Sequence, residues 1–225
     1  GGGTFDVSIA DVNHTEIDMI TSRGDKNLGG HDFDNFISEE ISKDYEKQKG
    51  QSLSEQDQRT LLPLAEKIKK ALSFKKETSE FIDGPAGPHE FKLTRDQFNE
   101  MIKLKLTQIK MLMEEALEKK NIKTNEIDQI LLVGGSTRIP AVVDLITEFM
   151  GKSPIRGVDV DESVALGAAI FAGLNTSSSD LSASQKKSLK DVKLSDVSNH
   201  YFGTGMLDWD EKLANHVVKN DILIP

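Results

Sequence analysis

The 225-residue chain has 37 acidic and 28 basic residues, a formal net charge of −9 that disfavours nonspecific binding to nucleic acid or anionic membrane surfaces. At 37% hydrophobic and 29% charged it has the balance of a globular protein of one or two domains, and no apolar run reaches the roughly 18–20 residues of a membrane helix. It contains no cysteine, which excludes disulfide and thiolate chemistry and fits a reducing compartment.

The opening "GGGTFDVSIA" lacks an initiator Met and a signal-like segment, and it starts inside a glycine turn, so it reads as part of a longer protein. Residues 4–10 alternate as a strand, and "TEIDMITS" after the turn Asn13-His14 reads as its hairpin partner. "GDKNLGG" then interrupts the sheet ahead of a helix over about 31–49. A second helix is predicted over about 54–73, with Pro63 marking a kink or a fresh start. Segments 75–82 and 89–93 read as strands around "DGPAGP". Thr94 with Gln97 is a capping-box signature for a long helix. Its Phe98, Met101, Ile102, Ile109, Leu112, Met113 and Ala116 share a face, so those methionines read as core.

"ILLVGGSTRIP" at 130–140 reads as a buried strand running into two glycines, followed by a helix to about Gly151. Residues 162–174, "ESVALGAAIFAGL", predict a helix whose small side chains permit close packing on a neighbour. Strands and helices therefore alternate in an α/β body. The Ser- and Lys-rich residues 175–196 read as a linker or hinge. Residues 197–225, with strand-like "HVVKN" and "DILIP", read as the start of a second domain too short to be stable alone.

Three glycine turns stand out: Gly1 to Gly3, Leu28 to Gly30, and Gly134 with Gly135. Glycine lets backbone amides approach an anion closely, so these turns suit phosphate, although a tight turn alone would also account for any one of them. On the helix at 61–73, Glu66, Lys69, Lys70 and Ser73 lie opposite the apolar face of Leu61, Leu64, Ala65, Ile68, Ala71 and Leu72. That polar stripe serves either as a solvated face or as hydrogen-bonding groups for a ribose and a base.

Other chemistries lack support. There is no GxxxxGK[ST] or GxGxxG, and no GxSxG surrounds Ser136. The five histidines show no zinc spacing, so no metal site is assigned from the sequence. Asp159, Asp161 and Glu162 suit an N-terminal cap of the following helix better than a metal site.

In order and spacing, "GGGTFDVSI", "GDKNLGGHDFDNFI", "AEKIKKALS", "ILLVGGSTRIP" and "DVDESVALGAAI" resemble the 70-kDa heat-shock, DnaK-like chaperone family over residues 1–174, and more loosely through "KDVKLSDV". The resemblance implies the actin-like ATPase fold, a mixed sheet flanked by helices with a smaller α+β subdomain at about 31–110. This chain is similar to the second of that fold's two lobes, followed by the interdomain linker at 175–196 and a truncated start of the peptide-binding β-domain at 197–225. ATP or ADP is the implied cofactor, with Mg²⁺ in the intact protein. Gly1, Gly2, Gly3 and Thr4 match the second phosphate loop, and Asp6 a carboxylate near the phosphates and their cations. Glu66, Lys69, Lys70 and Ser73 match the stripe that holds adenosine. Gly134, Gly135, Ser136 and Arg138 match the turn against adenine and ribose, and Asp161 a further nucleoside contact.

The same resemblance implies a J-domain co-chaperone, a nucleotide exchange factor and unfolded client peptides as partners, no nucleic acid or membrane, a cytoplasmic location and roles in protein folding and the stress response. Lys70 stands where the family commonly has Arg, and an ammonium cannot stack on adenine as a guanidinium does. Lys193 and Ser195 stand where consecutive leucines are usual, which implies weaker linker docking. The first lobe's phosphate loop and catalytic Lys have no counterpart here, so no catalytic residue is assigned and the fragment is not expected to hydrolyse ATP alone. A sugar or metabolite kinase of the same superfold and a nucleotide-independent interaction module are the competing readings.

Overall fold

The computed structural model describes residues 2–13, 16–155, 159–195, 202–210 and 215–224. The expected hairpin forms from β1 (Phe5–Val12) and β2 (Glu16–Asp25), antiparallel with a bulge between Ile9 and Ala10. Phe5, Val7 and Ile9 of β1 turn one side of the ribbon onto the core.

Helices α1 (Gly30–Lys49), α2 (Glu55–Phe74) and α3 (Arg95–Glu118) supply most of that core. Phe33, Ile37, Ile41 and Tyr45 of α1 recur every fourth residue and are all buried, as are Leu61, Ala65, Ile68 and Leu72 of α2. Each buried Leu, Ile or Phe among them contributes about 1.5–3 kcal/mol relative to exposure. Helix α2 is a single element through Pro63, so no fresh start occurs there; packing on both sides of the proline outweighs the hydrogen bond its missing N–H forgoes.

Strands β3 (Glu77–Ile82) and β4 (His89–Thr94) form a separate antiparallel ribbon. The loop between them is tied to α1 by Tyr45, whose buried hydroxyl donates to the Gly87 carbonyl at 3.0 Å and accepts from the Ala86 N–H at 3.0 Å. The capping box at the start of α3 is present: Gln97 N–H donates to Thr94 Oγ1, and Gln97 Oε1 accepts from the Thr94 backbone N–H. Met113 is buried and Met101 packs at the core margin.

The expected strand at 130–133 is a correction. Residues 127–133 carry no regular secondary structure. Among the described residues its backbone bonds are from Ile127 N–H to Thr124 O, from Ile155 N–H to Ile130 O and, at its end, from Gly134 N–H to Val160 O, and Leu131 is exposed. An apolar run becomes a strand only where a continuous ladder satisfies its backbone, and the described residues supply none here. Helix α4 (Pro140–Met150) follows, opened by proline at its first position and ended by Gly151 at φ 68°. Helix α5 (Ser163–Leu174) buries no residue, and Val164, Leu166, Ile170 and Phe171 are 49–69% exposed.

Within the expected linker lie α6 (Ala183–Leu189) and a short strand, β5 (Lys193–Ser195). Leu189 of α6 packs over Gly173 of α5, where a Cβ would meet its Cδ1 at 2.7 Å. Strand β5 pairs parallel with Glu16–Asp18 of β2, which makes the sheet mixed, in the order β1-β2-β5. Lys193 and Ser195, expected to weaken docking, instead find polar partners: Lys193 Nζ lies 2.6 Å from Glu16 Oε1, and Ser195 Oγ donates to Asp18 Oδ1 at 2.6 Å. The two strand-like pieces expected near the end are one strand, β7 (Asn215–Ile224), paired antiparallel with β6 (Phe202–Asp210).

Candidate functional site

The glycine loop at the start of the chain packs on the N-terminus of α1. His31 N–H donates to Gly2 O at 2.7 Å, and a Cβ on Gly29 would lie 2.7 Å from the Gly3 carbonyl carbon and 2.8 Å from Gly2 O. The glycine at 29 is thus explained by a neighbouring backbone; φ there is −168°, which any residue adopts. Gly2 and Gly3 have no such explanation, because an added Cβ would meet nothing within 4 Å and neither has positive φ. Gly1 lies outside the described residues. Thr4 is exposed at the head of β1, and the Asp6 carboxylate lies over Gly24, its cross-strand partner.

The polar stripe of α2 divides into two parts. Glu66 and Lys70 face solvent and pair at 2.8 Å, which holds the Glu66 carboxyl below its usual range and raises Lys70. Lys69 turns inward: its Nζ lies 2.8 Å from Asp34 of α1 and donates to Gly30 O at 2.9 Å, with the Lys69 and Asp34 side chains each only 11% exposed. The Ser73 hydroxyl donates back along the helix to Lys69 O at 3.3 Å.

The second glycine pair begins a 3₁₀ turn, Gly135–Arg138. Gly134 adopts φ 94°, a conformation that requires glycine, whereas a Cβ on Gly135 would meet nothing within 4 Å. Ser136 belongs to this turn, and Thr137 closes it, its N–H and Oγ1 both donating to Gly134 O. Arg138 leaves the turn as a bidentate fork on Asp161, Nη1–Oδ1 3.1 Å and Nη2–Oδ2 2.6 Å. The expected side-chain cap of α5 is absent, since its N-cap position is Glu162 without a side-chain bond; Asp159 Oδ1 instead accepts from the Glu162 and Asp161 N–H groups in the turn before the helix, and these bonds depress its pKa. Beside the fork opens a cleft of about 610 Å³ with Leu132, Val143 and Ile155 among its lining, within the roughly 300–1,000 Å³ of small-molecule sites.

These pieces adjoin. The glycine loop rests on His31, and Lys69 joins α2 to Gly30 one residue away. Two contributors escaped the sequence reading. Asp34 was hidden among the polar residues of α1, where a lone carboxylate between the core positions Phe33 and Ile37 was the available signal. The cleft lining at Ser153–Ile155 had none, since it follows α4 without a motif.

The family model described as "Hsp70 protein" matches residues 1–220. The chain belongs to the Hsp70 family. It is 40% identical over 206 residues to a chaperone protein DnaK of Thermosipho africanus, covering 88% of this chain and 33% of that protein. A chaperone protein DnaK of Thermosipho melanesiensis is 39% identical over 206 residues, 88% of this chain and 34% of that protein. The chain thus spans about a third of the length of these curated relatives. Membership in the Hsp70 family agrees with the α/β architecture and mixed sheet of the actin-like ATPase fold and favours the chaperone reading over a sugar kinase. Among the described residues no helix is long and apolar enough to cross a membrane.

Proposed function

We propose that this chain is the second lobe of an Hsp70 ATPase domain, residues 1–174, with the linker and the first strands of the peptide-binding domain, and that it binds the adenosine and phosphates of ATP or ADP. The observation that carries the reading is the adjacency just described. A glycine loop and a charged helix stripe, distant in sequence, are joined by the His31–Gly2 and Lys69–Gly30 hydrogen bonds, and the glycine turn carries the Arg138–Asp161 fork. The donor set fits an adenine nucleotide. Gly2, Gly3 and Thr4 offer backbone to phosphate, Glu66, Lys70 and Ser73 offer acceptors and donors to ribose and base, and Gly134, Gly135, Ser136 and Arg138 border the nucleoside with Asp161.

Among the described residues no three acidic or histidine side chains converge on a metal position. Mg²⁺ would therefore come with the nucleotide phosphates, with Asp6 as the nearest candidate carboxylate. This chain's part is binding and orientation, and the groups that activate water belong to the other lobe. In the whole protein, ATP binding and hydrolysis would set the affinity for unfolded client peptides, assisted in the cytoplasm by a J-domain protein and an exchange factor. The exposed apolar side chains of α5, Val164, Leu166, Ile170 and Phe171, are what the remaining ATPase domain would cover.

Calorimetric titration of ADP into the 225-residue chain tests the reading. Saturable binding weakened by Glu66→Ala and by Lys69→Ala supports it, and no heat at millimolar ADP favours a nucleotide-independent module. ATP turnover by this chain that Gly134→Trp abolishes would contradict the assignment of catalysis to the other lobe.

A further inference from the structure

Lys69 and Asp34 form the most enclosed charge pair at the candidate site. Asp34 is a buried residue, and its carboxylate has the Lys69 ammonium at 2.8 Å. An ammonium has three donors, and two are committed here, to Asp34 and to the Gly30 carbonyl. Fixing two donors fixes the direction of the third. Gly30 adjoins His31, whose N–H holds the glycine loop through Gly2 O, while Glu66, Lys70 and Ser73 lie within one helical turn of Lys69 on α2. Asp34 therefore stands where the loop and the stripe meet. Stability alone is a poor reason for a carboxylate at this depth, because an apolar pair of similar volume holds two helices together at least as well.

We propose that Asp34 is a positioning residue for nucleotide: it orients the Lys69 ammonium so that its third donor meets the ligand, and it locks the α2 stripe in register with the glycine loop. This rests on the nucleotide-binding reading above. Asp34 does not touch the ligand and acts through Lys69. The groups that act on Asp34 are Lys69 and Glu66 from α2 and His31 from its own helix. Burial raises its pKa, with Lys69 opposing, so on acidification it takes up a proton before ordinary aspartates do. A carboxyl with a raised folded-state pKa costs no stability through that protonation, yet it releases Lys69. Acid thus loosens the ligand's contact without unfolding the lobe through this group.

The test titrates ADP into the wild-type chain, Asp34→Asn, Lys69→Met and the double variant at neutral pH, with circular dichroism melts alongside. Asp34→Asn should weaken ADP roughly tenfold, the scale of one hydrogen bond to a charged group. Lys69→Met should weaken it at least as much, and the double variant no further than Lys69→Met alone. Wild-type ADP affinity in Asp34→Asn, or losses that add in the double variant, overturns the inference while leaving the nucleotide reading intact. Absence of binding by the wild type overturns both. If Asp34→Asn does not fold, ADP affinity is followed in wild type and Lys69→Met from neutral pH down through the acid range in which both remain folded. A steeper acid loss in the wild type supports the positioning role, and parallel profiles overturn it.

Discussion

Gly29→Ala isolates the support of the glycine loop from its chemistry. The backbone at 29 is extended, so alanine adds no conformational strain, and the perturbation is one methyl group aimed at the loop. That methyl would sit 2.7 Å from the Gly3 carbonyl carbon, where ordinary contact begins at 3.4 Å, so the loop must retreat by about 0.7 Å. The obstacle is backbone on both residues, which no rotamer change relieves. Retreat stretches the 2.7 Å bond from His31 N–H to Gly2 O beyond useful length. Overpacking of this kind costs about 1–3 kcal/mol, and the lost hydrogen bond falls within that range. ADP should therefore bind roughly tenfold or more weakly, while adenosine, held by α2 and the Gly134 turn, should lose far less. Calorimetry with both ligands and a urea melt read the three quantities. Unchanged ADP affinity with unchanged stability would refute the claim that Gly29 exists to seat the loop.

Tyr45→Phe removes the hydroxyl that bridges Ala86 N–H and Gly87 O, and it should cost about 1–3 kcal/mol in urea unfolding with the β3–β4 loop opening to proteases. Asp159→Ala should speed amide exchange at Asp161 and Glu162 and loosen the turn that leads into α5. In the wild type the Asp159 bonds are intact at neutral pH, because its folded-state pKa is depressed; their contribution should disappear as the pH falls through that lowered value, below the ordinary aspartate range. Strand β5 is held at its side chains by an exposed Lys193–Glu16 ion pair and the Ser195–Asp18 hydrogen bond. Raising salt from about 0.1 M to about 1 M, which cuts the screening length from about 10 Å to about 3 Å, should increase proteolysis near residue 193; Lys193→Leu should remove that salt dependence.

Local physics explains what the sequence made visible. Fourfold recurrence of Phe33, Ile37, Ile41 and Tyr45, the Thr94–Gln97 cap and the Pro140 opening each report a helix within a few residues, and each helix is present. Gly134 is legible for the same reason, since its φ of 94° is a local demand. What stayed hidden depends on distant partners. Lys69 looks like a surface charge until α1 brings Asp34 beside it, 35 residues away in sequence. Gly29 resembles a ligand-facing glycine until the Gly2–Gly3 backbone fills its side-chain space. Among the described residues the apolar run at 130–133 has strand composition without a strand's ladder, and the polar linker residue Lys193 finds its carboxylate on β2, 177 residues earlier. Periodicity identifies which face is apolar; it does not say which distant group completes a charge or a ladder.

The central claim is a division of labour, with adenosine against Gly134–Arg138 and α2, and the phosphates against Gly2–Thr4. Amide hydrogen exchange with adenosine and with ADP measures it most directly. Adenosine alone should slow exchange at 134–138 and leave 2–4 unchanged, and ADP should slow both. Adenosine protecting residues 2–4, or ADP at saturation leaving 134–138 unprotected, would contradict it.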